Sequence, residues 1–380
     1  KESGWLPEWA SPGHRDSMVG SNSAINIADA YLRGIRGYDI ETLYEAIIKN
    51  TKSKGPINSV GRFGAKYYNS LGYIPYDVGV NENAARTLEY AYADWAIAEL
   101  ATALKKPKDE INLFAKRSLN YKNLFDAEIG FMRGKNKDGS WDKDFTPDKW
   151  GDAFTEGSSW HWTWCVFHDP LGLAESFGGI EKMRNRLDEV FTAPPTFDYS
   201  YYGQQIHEIT EMVVSDMGQY AHGNQPVQHA IYLYNWLDQP WKTQMLARDI
   251  MNKLYSPNPD GLCGDEDNGQ TSAWYVFSAI GFYPVTPGTG QYAIGSPLFP
   301  NVKLHLENGN TFEVNAENNT FDNVYINSIY KNNEEYKLNY ISYEDIMNGD
   351  LFSLKMTDTP NLNSDKSDGA KPYSMSKTPQ

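Results

Sequence analysis

Three segments of the sequence place acidic side chains beside aromatic or amide groups, and the first is FTEGSSWHWTWCVFHDP. In it, Glu156 is followed by Trp160 and by further tryptophans. A carboxyl group among indole rings is desolvated, so its pKa rises and it stays protonated near neutral pH. Such a group can deliver a proton to a leaving oxygen, and a flat ring such as that of Trp160 can pack on a sugar. The alternative is that Glu156 caps a helix beginning near Ser158, with the tryptophans in the core.

The second segment, GLCGDEDNGQTSAWYVFS, contains three consecutive acids, Asp265, Glu266 and Asp267, ahead of a helical pattern. It is not an EF-hand calcium loop, because Gly269 comes one place early and the closing glutamate is missing. Acids at this place could instead cap the helix or favour its dipole. One acid would suffice for that purpose, so three indicate catalysis or metal binding.

The third segment, IHEITEMVVSDMGQYAHGNQPVQH, brings His207, Glu208 and Glu211 onto one helical turn. It is not a zinc-protease motif, because Glu211 stands where that motif requires a second histidine. Carboxylate, amide and carbonyl oxygens are hard ligands that suit calcium better than zinc. The alternative is that these side chains only stabilise their own helical turn.

Several other chemistries are excluded by the sequence. It contains no glycine-rich phosphate loop with lysine, no nucleophile elbow and no dinucleotide fingerprint. The remaining combination of carboxylates, aromatic rings and hard ligands suits glycoside hydrolysis. The net charge of -15 disfavours nucleic acid as a partner. The longest apolar run, Ala273–Val285, is too short to span a membrane, and Cys165 and Cys263 alone cannot form a disulfide scaffold.

The elements that position these segments are mainly helical. Over the first two-thirds of the chain apolar residues recur at helical spacing, most clearly over 84–100. Beyond Pro284 apolar and polar residues alternate, and Asn308-Gly309 predicts a type I′ turn. Further helices are predicted over Ile111–Phe125, Ile180–Phe191, Val227–Trp236, Trp241–Leu254 and Thr271–Ile280. We therefore predict a helical region over 1–285, a small antiparallel β-sheet region over 286–360 and, because its composition is polar, a disordered tail over 361–380.

The three segments closely resemble those of bacterial exo-α-mannosidases of glycoside hydrolase family ninety-two, in EGSSWHWTW, YAHGNQP and GDEDNGQTSAWYVFSAIGFYP. GWLPEW, GSNSAINIADAYLRGI and TLEYAYADWAIAELA match the same family, and the resemblance extends to about Met356. It implies a mainly α fold, an (α/α)6 toroid, joined to an N-terminal β-sandwich. That sandwich and the opening toroid helices should precede GWLPEW. We expect them to be absent from this chain and to contribute part of the sugar pocket.

The resemblance also implies how the reaction proceeds. It implies hydrolysis of α-mannosides with inversion, with Glu156 as the general acid. Asp265 and Asp267 correspond to the pair that activates water, and Asp267 is the better candidate for the base. An inverting enzyme must fit a water molecule between base and sugar, so we expect the acid and base carboxyl groups to lie about 6.5–9.5 Å apart.

The resemblance implies binding roles as well. His207 and Glu208 correspond to a pair that contacts the leaving mannose in α-1,2-specific members, and Trp160 is expected to contact substrate. A calcium ion is implied that holds hydroxyl groups of the terminal mannose, with Asn224 and Glu211 as its ligands.

The implied protein is a secreted, periplasmic or cell-surface bacterial enzyme that acts on mannose-containing glycans, without nucleic acid partners or a membrane span. Two alternatives stay open. One is a non-catalytic carbohydrate-binding protein on the same fold. The other is a different toroidal glycosidase or lyase.

Overall fold

Helices fill the first part of the chain, and most strands lie in the last part. The computed structural model describes residues 3–8, 14–16 and 18–377; Trp9 of GWLPEW and residues 378–380 lie outside the described residues. No helix within those ranges is long and apolar enough to cross a membrane. The α-helices there are α1 (Asn22–Leu32), α2 (Ile40–Asn50), α3 (Ala65–Leu71), α4 (Asn83–Ala103), α5 (Lys108–Arg117), α6 (Ser159–Trp162), α7 (Pro170–Phe177), α8 (Ile180–Val190), α9 (His207–Ser215), α10 (Gln225–Gln228), α11 (Pro240–Leu254), α12 (Gln270–Ile280) and α13 (Tyr343–Asn348).

Helix α4 lies at the centre of the helical core, and nearly all of its 21 residues are buried. A helix that is covered on every side is an interior helix, and its many alanines let α1 and α5 pack closely against it. The one acid at its middle, Asp94, is compensated by Arg62 at 2.7 Å and by the Tyr68 hydroxyl, which donates to it at 2.9 Å. The buried charge is therefore paired and hydrogen-bonded.

The predicted helix over Val227–Trp236 is wrong as a single α-helix. The short α10 is followed by a 3-10 helix over Ala230–Asn235. The Asn235 side chain donates to the Tyr232 carbonyl at 2.9 Å and so competes with the backbone for a helical acceptor. A tighter helix keeps every one of these residues buried against its neighbours.

The strands of the described ranges pair into three sheets. One has two strands, one has three in the order β3-β4-β9, and one has five in the order β5-β6-β10-β7-β8. The strands of the described residues are β1 (Phe125–Asp126), β2 (Phe131–Met132), β3 (Phe282–Tyr283), β4 (Gln291–Ile294), β5 (Asn301–His305), β6 (Thr311–Glu317), β7 (Tyr325–Lys331), β8 (Glu334–Tyr336), β9 (Tyr340–Ser342) and β10 (Leu351–Thr357).

The large sheet departs from the antiparallel prediction at one place. Strands β6 and β10 pair in parallel, whereas its other pairs are antiparallel. The long connection through β7, β8, β9 and α13 gives the chain enough length to return in the same direction.

The hairpin between β5 and β6 also differs from the prediction. Gly309 alone of the expected pair has a positive φ, 88°, so the turn is not type I′.

The prediction of a disordered tail is wrong for residues 373–376, which pack on the helical core. Ser374 Oγ and Ser376 N–H both donate at 2.8 Å to Oδ1 of Asp169, the residue that caps α7. The indole N–H of Trp236 donates to the Tyr373 carbonyl at 2.8 Å. The serines that suggested solvation therefore satisfy a buried carboxylate instead. The division of the chain into domains stays a prediction.

Candidate active site

Glu156 lies in the loop between β2 and α6, and its backbone is held on both sides. Its N–H donates to the Tyr202 hydroxyl at 3.1 Å, and the Asn224 side-chain amide donates to its carbonyl. Its φ of 44° is in the left-handed region, which costs free energy for a residue with a side chain. The surrounding contacts maintain this conformation, and strain of this kind is concentrated at functional sites.

Glu156 does not cap the helix that follows. Helix α6 has Ser158 as its N-cap, and the Ser158 N–H donates to Nδ1 of His161 at 2.9 Å. The other ring nitrogen of His161 lies 2.9 Å from the Gln219 carbonyl, a partner pattern that assigns the proton to Nε2. Burial lowers the pKa of His161 to about 4, so this ring is neutral. The capping alternative for Glu156 is therefore excluded.

The carboxyl group of Glu156 has a raised pKa, as a general acid requires. Burial raises its pKa to about 7, and the negative charges of Glu208 and Asp267 contribute to the increase. Both causes disfavour the carboxylate, so the group keeps its proton at a pH where ordinary glutamates have lost theirs. Desolvation by aromatic neighbours was the sequence argument; the neighbouring carboxylates add to it.

The three acids of the second segment lie in different environments. Glu266 accepts a hydrogen bond from the Gly269 N–H at 2.7 Å, at the start of α12, and bonds with Ser272 and Gly269 lower its pKa. Asp267 has a φ of 54°, and burial, with the charges of Asp265 and Glu266, raises its pKa. Glu266 thus stabilises the helix start, and the chemical role of Asp265 and Asp267 stays a prediction.

His207 brings the second and third segments together. It is the first residue of α9, and its Nε2 atom lies 3.3 Å from Glu208 Oε1 and 3.7 Å from Asp265 Oδ2. Its Nδ1 atom lies 2.9 Å from Glu211 Oε1. The contact between His207 and Glu211 does stabilise one helical turn, as the alternative interpretation holds. The contact with Asp265 reaches beyond that turn to the acidic loop.

The charge on His207 follows from these contacts. Burial lowers its pKa, but the hydrogen bond with Glu211 and the charges of Glu208, Glu211 and Asp265 outweigh burial, and the net shift is upward. Burial also raises the pKa of Glu211, although the contact with His207 lowers it. The burial effect by itself would favour a neutral carboxyl group. Three carboxylates around one half-exposed imidazole favour its charged form, so His207 keeps its proton to a higher pH than an ordinary histidine does.

The two expected calcium ligands differ in how well they fit a cation. Oε2 of Glu211 is shielded from solvent and has no hydrogen-bond partner in the described residues. It lies against a narrow backbone gap, because a Cβ atom on Gly223 would come within 2.5 Å of it. Both side-chain atoms of Asn224 are already hydrogen-bonded, to the Glu156 carbonyl and the Gln225 N–H. Within the described residues no three His, Cys, Asp or Glu side chains are grouped for a metal.

Trp160, predicted to contact substrate, is largely buried. Its side chain is only 9% exposed. Its ring packs edge-on against Phe131 at a centroid distance of 4.8 Å, and the Arg186 guanidinium lies 5.8 Å from its centre. The ring therefore packs with the core, and its contact with substrate stays a prediction.

Two residues near Glu156 were missed by sequence reasoning. Tyr202 bonds the Glu156 backbone, and the run DYSYYG was the available signal for it. Glu82 lies far away in sequence, yet its charge also raises the pKa of Glu156. No local pattern marks Glu82, because only the folded chain places the start of α4 beside this loop.

Solved structures share this arrangement of helices and sheets. An inverting mannosidase of family GH92 from Bacteroides thetaiotaomicron VPI-5482 is 53% identical, with a TM-score of 0.90 over 99% of this chain and 51% of that one. A GH92 α-mannosidase from Bacteroides thetaiotaomicron in complex with mannoimidazole is 35% identical, with a TM-score of 0.88 over 97% of this chain and 48% of that one. The predicted fold class, an α/α toroid with a small β-sheet region, is thereby confirmed.

A curated relative points the same way. It is an uncharacterized secreted glycosidase from Arthroderma benhamiae, 29% identical over 94% of this chain and 47% of its own length. The chain thus spans about half the length of the relatives it matches. The model of the glycosyl hydrolase family 92 catalytic domain matches residues 1–358, which is nearly the whole chain. The chain therefore belongs to glycosyl hydrolase family 92.

Proposed function

We propose that this protein is an α-mannosidase that removes terminal α-mannose from glycans with inversion of configuration. The observation that carries the proposal is the buried Glu156 carboxyl group, whose pKa is raised to about 7 by burial and by nearby charges that include those of Asp267 and Asp265. A protonated carboxyl group and an ionised one on opposite sides of a bond are what an inverting glycosidase requires. The mannosidase activity of structures that are 53% and 35% identical supports the choice of sugar.

The reaction divides between two side chains. The Glu156 carboxyl group donates its proton to the glycosidic oxygen as the bond to the sugar breaks. Asp267 accepts a proton from a water molecule, which attacks the anomeric carbon from the opposite face. We keep the expected separation of about 6.5–9.5 Å between the two carboxyl groups as part of this proposal. Tyr202 and Asn224 position the acid by fixing its backbone.

The leaving sugar is proposed to lie beside His207 and Glu208. His207 is 53% exposed and offers a donor, while Glu208 Oε2 is an acceptor without a partner in the described residues. A polar site of this kind favours a substrate whose hydroxyl groups pair with both side chains. We therefore propose a preference for α-1,2-linked mannose.

Calcium is also part of the proposal. Glu211, with its unpaired Oε2 atom, would hold the ion, and Asn224 would contribute the remaining lone pair of its amide oxygen. A bound calcium ion supplies a hard positive charge that holds sugar hydroxyl groups in place. Glu211 also orients His207 through their 2.9 Å contact, with or without the ion.

We propose a secreted, periplasmic or cell-surface location, for which the secreted glycosidase among the relatives gives support. The relatives are about twice as long as this chain. We propose that a β-sandwich region and further helices complete the sugar pocket in the whole protein.

The test is digestion of α-1,2-, α-1,3- and α-1,6-linked mannobiose, followed by NMR of the first product. We expect β-mannose from the α-1,2 substrate, because inversion changes the anomeric configuration. Release of α-mannose would refute inversion, and an unsaturated product would identify a lyase. Binding of mannobiose without any hydrolysis would favour the non-catalytic alternative.

A further inference from the structure

A second polar cavity lies away from the candidate active site. It encloses about 400 Å3 between the start of α11, strands β7 and β8, and the segment 361–365. None of the carboxylates assigned above to catalysis or metal binding lines it. Its size is within the range of about 300–1,000 Å3 that is usual for small-molecule sites.

The walls of this cavity are fixed by hydrogen bonds. The Asn361 side-chain amide donates to the Asn327 carbonyl at 2.9 Å and so attaches the tail segment to β7. Gln244 of α11 accepts from the Ile326 N–H at 2.9 Å, and the Tyr336 hydroxyl donates to the Tyr340 carbonyl at 2.7 Å. The helix, the sheet and the tail therefore hold one shape before any ligand arrives, which lowers the entropy cost of binding.

Several polar groups in the cavity are left without partners. The side-chain amides of Asn327, Asn339 and Asn363 make no hydrogen bond within the described part of the chain. The Ser364 hydroxyl is shielded from solvent and also unpaired there. Each free amide offers two donors and an acceptor, so these groups can pair with several hydroxyl groups of one ligand.

Trp241 provides the aromatic surface of the cavity. Its ring is partly exposed and packs edge-on near Tyr325, with a centroid distance of 6.4 Å and an interplanar angle of 61°. Its indole N–H has no partner among the described residues. Tyr336 differs, since its hydroxyl is bonded and its ring packs on Phe352 at 5.1 Å. Lys242 Nζ lies 5.6 Å from the centre of the Trp241 ring. Because Trp241 is partly exposed and lines the cavity, we assign it as the ring that meets a ligand, whereas Tyr336 is part of the wall.

The charges at the rim decide between ligand classes. Glu335, Lys337 and Asp365 line the cavity, and Lys337 is paired with Glu335 at 3.3 Å. The net charge is negative, which disfavours phosphates and other anions. Free amides beside an indole ring suit a neutral ligand with many hydroxyl groups and one apolar face.

We propose that this cavity is a second glycan-binding site, which takes a neutral oligosaccharide and holds it without hydrolysis. Trp241 packs on one sugar ring, and Asn327, Asn339 and Asn363 pair with its hydroxyl groups. The site goes beyond the proposed function, because binding there does not depend on Glu156 or the acidic loop. It would keep the protein attached to a glycan while the active site works on a chain end.

The experiment is calorimetric titration of the Glu156→Gln protein with α-1,2-mannotriose, with and without Trp241→Ala. The Glu156→Gln background slows consumption of the ligand. We expect roughly a tenfold or greater loss of affinity at one class of site on Trp241→Ala, because a packed aromatic ring is a large part of such a contact. Phe321→Ala is the matched control, since Phe321 is 75% exposed in the same region and does not line the cavity.

A second variant guards against misfolding. Asn327→Ala with Asn363→Ala removes amides that bond nothing in the described chain, so it should lower affinity while leaving Tm unchanged. Unchanged mannotriose affinity in both variants would overturn the second site. If Trp241→Ala lowers affinity and the protein with Glu156 intact nevertheless fails to hydrolyse mannobiose, the second site stands and the proposed function is refuted. Hydrolysis of an aryl mannoside should be the same in Trp241→Ala as in the parent.

Discussion

The Nε2 atom of His207 lies 3.7 Å from Oδ2 of Asp265, which joins the start of α9 to the acidic loop of the candidate site. Because His207 also contacts Glu208 and Glu211, one imidazole is shared by three carboxylates. Asp265 thus has the His207 imidazole as a neighbour, whereas no basic side chain forms an ion pair with Asp267 among the described residues. A base needs an unpaired carboxylate, and this difference favours Asp267 for that role.

Replacing the acid and the base should give different substrate dependence. We expect Glu156→Gln to lower kcat/KM on mannobiose by about 10²–10⁴, since general acid catalysis is worth that much. An aryl mannoside with a good leaving group needs little protonation and should lose far less. Asp267→Asn should impair both substrates, because the water still needs a base. Glu266→Gln is the control in the same loop; equal losses on both substrates in Glu156→Gln would remove Glu156 as the acid.

The pH profile should report the same carboxyl group. Glu156 must be protonated to act, so kcat/KM should fall as pH rises through about 7, the pKa of this group. Glu208 is the charged neighbour that raises this pKa most. Glu208→Gln should therefore move the falling limb to lower pH on an aryl mannoside. A limb that stays in place would show that another group controls it.

Linkage preference should depend on Glu208. We expect Glu208→Ala to lower activity on α-1,2-mannobiose by at least about tenfold more than on an aryl mannoside, which lacks the paired hydroxyl groups. The comparison of the two substrates in one variant cancels any loss of folded protein. Parallel losses would remove Glu208 from the leaving-group site.

Calcium dependence should be visible in both binding and activity. We expect a chelator to lower activity and calcium to restore it better than zinc, because the proposed ligands are oxygens. Calorimetry should show calcium binding that Glu211→Gln weakens by about tenfold or more. Glu181→Gln, on the exposed face of α8, is the matched control. Full activity in excess chelator would contradict the proposal.

A stability prediction follows from Glu89, which lines a cavity beside α1 and whose pKa burial raises to about 7. The folded state then binds more protons than the unfolded chain between about pH 4.5 and 7, so this contribution to stability is present below 4.5 and lost as pH rises through 7. The full shift corresponds to about 3 kcal/mol, and partial contact with solvent reduces it to about 1–2 kcal/mol.

Glu89→Gln removes that charge. We expect the variant to unfold at a higher Tm than the parent at pH 8 and at a similar Tm at pH 4.5. The measurement is the difference in Tm between the variant and the parent, determined at each of the two pH values. A variant that is less stable at both pH values would show that Glu89 contributes a contact that glutamine cannot replace.

Sequence patterns predicted the fold best where its helices and strands are long and regular. The run along α4 and the alternation along β6 and β10 are periodic over many residues, so burial on one or all sides follows from spacing alone. The parallel pairing of β6 with β10 could not be predicted, since periodicity carries no information on strand direction.

The candidate site was predictable to a different degree. Glu156 and the acidic loop stood out because polar groups were concentrated among aromatic ones. The burial of Trp160 and the attachment of Glu156 to Tyr202 depend on which chain segments meet in space. A tryptophan in a polar segment has the same local pattern whether it faces a sugar or the core.

The contact of Ser374 and Ser376 with Asp169 has a consequence for how the chain folds. Asp169 and Ser374 are separated by 205 positions, so their hydrogen bond closes a very large loop. Closing such a loop is slow relative to forming local helices, and it comes after the sheet region has been placed. The N-cap of α7 therefore gains its contacts with Ser374 and Ser376 only after the rest of the chain has folded. Hydrogen exchange during refolding should show the amide of Ser376 protected among the last.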